Sequence, residues 1–459
     1  MRTKLAIFIA MCLTGCSVYQ PPQRDDNIVI PDSFEQPITA TTSIGACHQL
    51  LPAEASWLDE AIDSNLELAR AAARLRQAEA LAATSRSRLW PRLDTQLQYT
   101  RTDSPFSSTS TVLAATGISE SWQGAVAASY ELDLWSQIRN ENQANVLQAE
   151  AAAAALETIR IAIAAEALDS WAAAVAQQAL VAELASQIET SEKFLELTRL
   201  RFGLGQAPAQ DIGRQKQQLL SLQGQQAQVL AASDLARQRL AILLGQPPRA
   251  YESALPALPA VPALPDPGIP ADVIARRPDV RAAVASLNAA DRRTAAAIAA
   301  RLPGVSLTAS LLSFERDLGD IFSDAYWSLG STVAATLFDN GALQARVELQ
   351  RAAADEAFID YTEAVLTALH EVHGALVRNA SQDQFVASLE AQYDEAQKVL
   401  TLTRDAYRQG QVSFLDVLTA LTSVQSLERQ RIEAQRQQLS NRIELCRAAG
   451  IAPGSRNPT

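Results

Sequence analysis

Two long stretches of the sequence contain almost none of the residues that end an α-helix. Residues 136–202 contain neither glycine nor proline and are rich in alanine, leucine, glutamine, glutamate and arginine, which are good helix formers. Residues 342–409 contain one glycine, Gly374, and no proline. A helix over the first stretch would rise about 100 Å, and patterns longer than about 25 residues are typical of coiled coils, membrane spans or helical repeats. Because charges occur throughout both stretches, we exclude a membrane-spanning helix.

Shorter helices are predicted before and after each long one. Helices at residues 58–89 and 271–302 are expected to stop before Pro91 and Pro303, since a residue that precedes proline is disfavoured in a helix. Each long helix turns at a glycine and is followed by a return helix that ends at another glycine suited to the left-handed conformation. In the first half the turn is at Gly205, the return helix is at residues 209–244 and the terminal glycine is Gly245. In the second half the turn is at Gly410, the return helix is at residues 414–449 and the terminal glycine is Gly450.

The long helices belong to an internal duplication. The run TRLRFGLGQAPAQD (residues 198–211) resembles TRDAYRQGQVSFLD (residues 403–416), with Thr, Arg, an aromatic residue, Gly, Gln and Asp at a common offset of 205 residues. Two copies are fewer than the three or so that a solenoid of small repeats needs. The sequence therefore predicts one mainly α-helical fold built from two related halves, at residues 58–245 and 271–450, with long hairpins at 136–245 and 342–450.

After both prolines the periodicity changes from that of a helix to that of a strand. Strands are predicted at residues 93–103, 121–135, 304–314 and 326–338. Apolar residues alternate with polar ones along each strand, and the predicted apolar face includes Leu93, Leu97, Tyr99, Trp122, Val126, Val305, Leu307, Trp327, Leu329 and Val333. Alternation over about 9–11 residues with aromatics near the ends is typical of transmembrane barrel strands, although a soluble sheet with one wet face gives the same pattern.

The N-terminus has the layout of a bacterial lipoprotein signal. Arg2 and Lys4 precede an apolar run and the box LTGC, which ends at Cys16. The run is too short to span a bilayer, so we expect cleavage of residues 1–15 and lipidation of Cys16. Ser17 stands where many lipoproteins that stay at the inner membrane have aspartate. We therefore expect a lipid-anchored protein of the outer membrane of a Gram-negative bacterium, extending into the periplasm.

The anchor supplies a membrane for the predicted strands. Four strands are too few to close a transmembrane barrel, for which about eight is the practical minimum. Closure therefore requires several chains, and three chains would supply twelve strands.

Composition narrows the function further. The chain has a formal net charge of −12, and loss of Arg2 and Lys4 with the signal makes the mature protein more acidic. This balance argues against nucleic acid, whose binding depends on basic residues that neutralise phosphates. Cys47 and Cys446 would remain besides the lipidated cysteine. They could form a disulfide in an oxidising periplasm, or Cys446 could pack as a small apolar residue in the last helix.

Three segments lie outside the two halves. Residues 16–57 are polar, contain proline and lack periodicity, which predicts an extended arm from the lipid anchor. Within residues 246–270 a proline recurs every third position from Pro256 to Pro265. That spacing favours polyproline II and predicts a stiff strap between the halves. Residues 451–459 form a tail.

Four motifs resemble those of TolC-like outer-membrane efflux factors, in the lipoprotein branch that serves resistance-nodulation-division pumps. They are YELDLWSQIR (130–139), IARRPDVRAA (274–283), LFDNGALQARV (337–347) and YRQGQVSFLDVLTA (407–420). The resemblance implies a homotrimer with a 12-stranded outer-membrane barrel continued by a helical tunnel. It also implies an exit duct that passively conducts small molecules such as drugs, with a periplasmic adaptor and an inner-membrane transporter as partners.

The resemblance further implies a gate where the long helix of the second half turns back. Tyr407 and Asp416 match residues of the family, with Gln411 and Val412 in the turn. Three copies of Asp416 would then surround one axis, and such a ring repels itself and attracts cations. The family often adds an arginine in this turn and a second acid one turn beyond the aspartate. This chain has Val412 and Thr419 there, which implies a less charged gate.

The equivalent positions of the first half are Phe202 and Asp211, which are expected to brace the closed state. The hairpin turns implied to contact the adaptor contain Gly205, Gln206, Gly410 and Gln411. Asp416 also has a simpler interpretation, as an acid that stabilises the dipole of its helix at the N-terminus.

Other functions have less support in the sequence. His370 and His373 lie one helical turn apart and could form half of a metal site, but no cysteine or third histidine is near, so no metal or cofactor is expected. No phosphate-binding loop or GxSxG motif is present, so an enzyme is not expected. A periplasmic adaptor lipoprotein would have one hairpin rather than two. Metal ions or a secreted polypeptide are alternative cargoes.

Overall fold

The computed structural model describes residues 30–34, 42–43, 47, 50, 56–104, 117–248, 258–266, 268–321 and 323–453. The predicted signal peptide, the lipidation site Cys16 and most of the arm at 16–57 lie outside the described residues. Among the helices of the described ranges, none combines the length and the apolar character needed to cross a membrane.

The elements follow the same order in both halves of the chain. Ahead of the first half lies β1 (Thr42–Ser43), and in the strap lies β4 (Pro265–Asp266). The first half contains α1 (Ser56–Ser64), α2 (Leu66–Ser87), β2 (Arg92–Ser104), β3 (Gly117–Leu132), α3 (Gln137–Gly203) and α4 (Ala209–Leu243). The second half contains α5 (Pro270–Arg276), α6 (Pro278–Ala299), β5 (Gly304–Glu315), a 3-10 turn (Leu318–Asp320), β6 (Tyr326–Ala334), α7 (Ala342–Arg408) and α8 (Phe414–Ala448).

The two long helices are present as predicted. α3 and α7 each run without interruption for 67 residues, because their sequences offer almost no glycine or proline to end them. Each return helix, α4 or α8, has 35 residues. Gly245 and Gly450 follow the return helices with φ angles of 66° and 74°, so both are left-handed as predicted. The mainly α-helical fold with two related halves is confirmed.

The prediction of a single helix at residues 58–89 is wrong. The chain breaks at Asn65, whose side-chain Oδ1 accepts hydrogen bonds from the amides of Glu67 (2.9 Å) and Leu68 (3.2 Å). Asparagine is a strong N-cap because its short side chain satisfies amides that the first helical turn leaves free. A new helix, α2, therefore starts after Asn65.

The prediction of a single helix at residues 271–302 is also wrong. Pro278 pushes Arg277 into an extended conformation, with φ −63° and ψ 126°. Since proline is well tolerated at the start of a helix, α6 begins at Pro278 itself. The second half thus has its own break near the start of the segment.

The two break residues make equivalent contacts. Asn65 Nδ2 donates a hydrogen bond to the main-chain oxygen of Leu243 at 3.4 Å, and Arg277 Nη1 donates to that of Ala448 at 2.7 Å. Leu243 and Ala448 are separated by the 205-residue offset of the duplication. In both halves, therefore, the break residue holds the last turn of the return helix, where carbonyl oxygens lack partners within the helix.

Four strands form an antiparallel sheet in the order β2-β3-β5-β6. Leu93 is opposite Ala128, Ala128 is opposite Ala309, and Ala309 is opposite Leu329. Because directly opposite residues project from the same side of a sheet, the predicted apolar residues of all four strands share one face. The other face is mainly polar, and the hydroxyls of Ser310 and Ser328 are 2.7 Å apart across it.

Two strands end earlier than predicted. β3 ends at Leu132 rather than 135, and β6 ends at Ala334 rather than 338. The chain leaves the sheet early because an aspartate after each strand caps the long helix that follows. In the first half, the Asp133 carboxylate accepts hydrogen bonds from the amides of Ile138 (3.1 Å) and Arg139 (2.9 Å). In the second half, the Asp339 carboxylate accepts the amides of Gly341 (2.9 Å) and Leu343 (2.7 Å).

The described part of the strap lies along α8. Gln435 Nε2 donates to the main-chain oxygen of Pro259 at 3.2 Å, and Arg442 Nε donates to that of Pro262 at 3.3 Å. The strap ends in β4, which pairs in parallel with β1, a pairing that the sequence did not predict.

The chain contains two compact units, and each draws on both halves. One contains Arg74–Ala152 and Ala282–Tyr361, and therefore the four-stranded sheet. The other contains Asn27–Ala73, Ala153–Arg281 and Thr362–Thr459, and therefore both hairpin turns. The main apolar core of this second unit includes the fully buried side chains of Leu168, Trp171, Leu240 and Leu439.

Candidate functional site

The two hairpin turns have the same backbone design. In the first, the amide of Gly205 donates to Phe202 O (2.9 Å) and that of Gln206 to Arg201 O (2.8 Å). In the second, the amide of Gly410 donates to Tyr407 O at 3.0 Å and that of Gln411 to Ala406 O at 2.9 Å. This is the Schellman pattern, which needs a left-handed residue after the helix. Gly205 and Gly410 supply it, with φ angles of 72° and 73°.

The turns differ in how the next helix begins. In the second half, Asp416 Oδ2 accepts hydrogen bonds from the amide (2.8 Å) and the hydroxyl (2.7 Å) of Ser413. The bond from the Ser413 amide belongs to a capping box at the start of α8, in which the Ser413 side chain accepts from the Asp416 amide. The bonds from the Ser413 hydroxyl and amide lower the pKa of Asp416. In the first half Pro208 occupies the cap position, with no side-chain hydrogen bond there, and Asp211 lies in the first turn of α4.

The capping box supplies the simpler role that the sequence left open for Asp416. The carboxylate stabilises the first turn of α8 through hydrogen bonds and the helix dipole. These bonds also favour the ionised form, so Asp416 keeps its negative charge at an exposed position. A ring of such carboxylates around an axis stays a prediction.

Tyr407 connects the two halves. Arg201, near the end of α3, donates a hydrogen bond from Nη1 to the Tyr407 hydroxyl, and its guanidinium carbon lies 4.9 Å from the centre of the Tyr407 ring. Phe414 packs on the tyrosine with ring centres 6.1 Å apart. Tyr407 is therefore held by α3 of the first half and α8 of the second.

The sequence interpretation missed Arg201. Its equivalent in the second half is Ala406, so the positive charge of Arg201 is absent from the matching position of the duplication. That mismatch was the signal that could have found it. Phe202, the equivalent of Tyr407, is exposed and has no hydroxyl with which to make the same bond.

The remaining predicted gate residues do not add charge to the second turn. Thr419 Oγ1 donates to the main-chain oxygen of Leu415 within its own helix at 2.8 Å. Gln411 is exposed and donates from Nε2 to Gln409 Oε1 at 2.8 Å, and Val412 is half-buried beside it.

The surfaces of the two turns also differ. The first turn exposes four large apolar side chains, from Leu197, Leu200, Phe202 and Leu204. The positions equivalent to Leu200 and Leu204 in the second half are Asp405 and Gln409, and Asp405 forms an ion pair with Arg408 at 3.1 Å. Contiguous exposed apolar residues mark sites of interaction more often than charged ones do.

Hydrogen bonds order the four hairpin helices within their unit. They connect α4 to α3 (Gln215 to Ser191, 2.8 Å), α3 to α8 (Gln187 to Gln425, 3.1 Å) and α8 to α7 (Gln382 to Ala434, 3.0 Å). α4 and α7 thus stand at the two ends of this series, and both expose large apolar residues. On α4 these are Leu220, Leu230, Leu235 and Ile242, and on α7 they are Leu366, Val377, Phe385, Val399 and Leu402. At about 100° per residue, each set falls on one side of its helix.

Cys47 and Cys446 meet in the core of the same unit. Cys47 and Cys446 are joined as a disulfide with Cα atoms 6.0 Å apart, and the two residues are 1% and 0% exposed. Cys446 is in α8, and its equivalent in the first half is Ala241, which is also buried.

Glu371 lies between His370 and His373, the two histidines considered as half of a metal site, and it is paired with arginines instead. It accepts hydrogen bonds from Arg277 (2.8 Å) and Arg447 (3.2 Å). Within the described ranges no three metal-ligating side chains come together.

Comparisons with known proteins match this architecture. The family model for outer membrane efflux proteins matches residues 57–246 and 269–451, one segment for each half. The pyoverdine export outer membrane protein OpmQ of Pseudomonas aeruginosa is 25% identical over 458 residues, which is 97% of this chain and 96% of OpmQ. The solvent efflux pump outer membrane protein SrpC of Pseudomonas putida is 28% identical over 407 residues, 87% of this chain and 85% of SrpC.

Solved structures share the fold. The outer-membrane channel OprN superposes with a TM-score of 0.84 at 25% identity, covering 96% of this chain and all of OprN (100%). CusC, described as forming a transmembrane channel, superposes with a TM-score of 0.82 at 19% identity, covering 94% of this chain and 99% of that one.

Proposed function

The chain belongs to the outer membrane efflux protein family, and from this premise we propose that it is the passive exit duct of a tripartite pump for toxic small molecules. The sheet carries the proposal. It has one apolar and one mainly polar face, and in each half it leads directly into a 67-residue helix. A strand set of this kind suits a barrel with lipid outside and water inside.

The duct requires three chains. A four-stranded sheet leaves β2 and β6 with unpaired edges, which lipid cannot satisfy by hydrogen bonding. Three copies supply twelve strands and pair every edge. The apolar residues on α4 and α7 support the same assembly, because α7 of one copy can pack on α4 of the next. Such a head-to-tail contact closes into a ring.

The hairpin turns are the docking sites for a periplasmic adaptor. The apolar side chains around Gly205 and Gln206 in the first turn suit an apolar partner surface, and the charged pair near Gly410 and Gln411 suits a polar one. An inner-membrane transporter of the resistance-nodulation-division type supplies the energy, and the duct performs no catalysis.

The names of the relatives favour small organic molecules as the cargo of this duct. The names of OpmQ and SrpC describe export of pyoverdine and of solvents, respectively. Deletion of the gene should raise the intracellular accumulation of drugs and solvents, and the wild-type gene should reverse the change. Unchanged accumulation and susceptibility across such a panel would contradict the proposed function.

Lipidation at Cys16 anchors the mature N-terminus but is not the only attachment. Cys16→Ala should lose the lipid and still fractionate with the outer membrane, because the strands hold it there. Recovery of that variant as a soluble periplasmic protein would show that the strands do not span the membrane.

A further inference from the structure

Two glutamates face each other where the halves of the chain meet. Glu183 belongs to α3 and Glu428 to α8, and the side chain of Gln187 lies between them. Gln187 Nε2 is 2.7 Å from Glu183 Oε1 and 3.3 Å from Glu428 Oε2. These two carboxylate oxygens are therefore at most about 6 Å apart, a range at which one negative charge disfavours another.

The amide of Gln187 cannot satisfy every acceptor around it. Arg429 donates to Gln187 Oε1 and so fixes which way the amide points. The NH₂ group then faces three acceptors, namely the two carboxylates and the main-chain oxygen of Gln425 at 3.1 Å. An amide NH₂ has only two hydrogens, so it cannot bond all three acceptors at once. While both glutamates are ionised, the two carboxylates therefore compete for this amide, and a proton on one carboxyl removes one of the two charges and adds a donor to the site.

Burial makes it costly to hold two like charges at this site. Gln187 is 3% exposed, and both glutamates and Arg429 are half-buried. The site holds two acidic groups and one guanidinium until a proton binds, so one negative charge is not balanced within it. Burial raises the pKa of Glu428 above its ordinary 4.5, and the charge of Glu183 raises it further.

α7 also packs against this site, but its described residues bring no cation that could neutralise the charges of Glu183 and Glu428. Tyr393 of α7 hydrogen-bonds Glu428 through its side chain, and Arg431 of α8 lies over the Tyr393 ring at 4.3 Å. Arg431 is itself paired with Glu390 of α7 at 2.9 Å. Within the described residues, Arg429 is the guanidinium whose charge acts on both glutamates, although its hydrogen bond goes to Gln187.

We propose that Glu428 binds a proton beside Glu183, and that this pair acts as a pH-sensitive lock between the two halves of the duct. With the proton bound, α3 and α8 are held together. When the proton leaves Glu428, two like charges face each other and weaken the contact between α3 and α8. The same two helices continue to Arg201 and Phe414, which hold Tyr407. The lock therefore acts on the turn that the proposed function makes a gate, and it rests on that function.

The direction of the effect follows from the raised pKa. A carboxyl that binds its proton more tightly in the locked state stabilises that state at low pH, and the contribution is lost as the pH rises through the raised pKa. The duct should therefore be more firmly closed in mild acid and open more often toward neutral and alkaline pH.

Planar-bilayer recording of the purified full-length protein tests the lock. As the pH rises from below 4.5 through the raised pKa of Glu428, the open fraction of the wild type should rise about tenfold for each unit that separates the pKa values of the locked and loosened states. Glu428→Gln resembles the protonated acid, so it should keep the low open fraction throughout. The matched control is Glu196→Gln, an exposed glutamate on α3, which should retain the wild-type slope. Equal slopes in Glu428→Gln and the wild type would overturn the lock.

Infrared difference spectroscopy gives a readout that does not depend on conductance. The wild type should show a protonated-carboxyl band that disappears as the pH rises through the raised pKa of Glu428 and is absent from Glu428→Gln. Absence of that band from the wild type would also overturn the lock. A wild type that forms no conducting pore contradicts the proposed function, whereas a conducting pore with no pH response contradicts only the lock.

Discussion

The two hairpins share a backbone and differ in their chemistry. Both turns use the same Schellman hydrogen bonds around a left-handed glycine, and both long helices have 67 residues. Phe202, Pro208 and Ala241 in the first half correspond to Tyr407, Ser413 and Cys446 in the second. The first set is apolar, whereas the second set makes a hydrogen bond between the halves, a capping box and a disulfide.

The contacts that Asn65 and Arg277 make with the ends of the return helices differ in the same way. Asn65 reaches Leu243 with one long hydrogen bond, whereas Arg277 reaches Ala448 with a short one and also binds Asp279 and Glu371. The two copies thus share a scaffold, and these particular polar contacts belong to the second. The gate at the second turn and the bracing role of the first, which the family resemblance implies, stay predictions.

Loss of the disulfide should have the largest effect on stability. Cys47 and Cys446 are separated by 399 residues, and closure of so long a loop restricts the unfolded chain strongly. Replacing both cysteines with serine should lower the free energy of unfolding by roughly 3–5 kcal/mol. Ala241→Ser, at the equivalent position, is the matched control and should cost less. Thiol labelling of the unreduced, denatured protein would contradict the bridge if it found two free thiols per chain.

Removal of Arg277 should come next. The side chain is 7% exposed, so Arg277→Ala leaves Asp279 and Glu371 without their shared cation. Both carboxylates are partly solvated, so we expect a loss of about 2–3 kcal/mol, against about 1 kcal/mol for Asn65→Ala. Chemical unfolding followed by circular dichroism measures both. Equal losses of unfolding free energy in Arg277→Ala and Asn65→Ala would contradict the difference between the two contacts.

The Arg277 cluster also predicts a pH dependence. Burial alone would raise the pKa of Asp279, but the hydrogen bond and charge of Arg277 outweigh it and hold the pKa below 3.8. A lowered carboxyl pKa contributes stability above the ordinary value that is lost as the pH falls. The difference in unfolding free energy between the wild type and Arg277→Ala should therefore shrink below about pH 4. A constant difference would show that packing, rather than charge, explains the loss.

Tyr407→Phe should change gating with little effect on folding. It removes the hydroxyl that accepts from Arg201 and keeps the ring that packs on Phe414. A hydrogen bond to a charged group at a partly exposed site is worth about 1 kcal/mol, so the open fraction in planar bilayers should rise about fivefold. Phe202→Leu should leave it near the wild-type value. Similar behaviour of the two variants would place the constriction elsewhere.

Asp416→Ala should have the smallest effect. The carboxylate is exposed, so the main change is the loss of the capping box and of one negative charge at the second turn. Cation selectivity should fall in the variant, and Asp211→Ala should leave it unchanged. If neither variant alters the reversal potential in a salt gradient, Asp416 serves only as a helix cap.

The sequence was sufficient for the parts of the fold that depend on local pattern. The near absence of glycine and proline predicted α3 and α7. The alternation of apolar and polar residues predicted the strands and their apolar face. It failed where one side chain caps a helix and so begins or ends an element. Asn65 breaks the first segment by capping α2, and its further bond to Leu243, 178 residues away, has no signal in the sequence. β6 ends early because Asp339 caps α7.

The candidate site was predictable to a similar extent. Tyr407 and Asp416 were found through motif resemblance, but Arg201 and the Glu183–Glu428 pair were not. Each of these contacts joins α3 to an element of the other half, more than 200 residues distant in sequence. The offset between halves shows which residues are equivalent, but it does not show which of them meet in space.

The mass of the detergent-extracted particle tests the central claim most directly, because the four-stranded sheet can close only when several copies share it. We predict three copies of the chain for the wild type and for the Tyr407→Phe and Phe202→Leu variants. A stable monomer in native mass spectrometry or sedimentation would contradict the duct, since the edges of β2 and β6 would then remain unpaired in lipid.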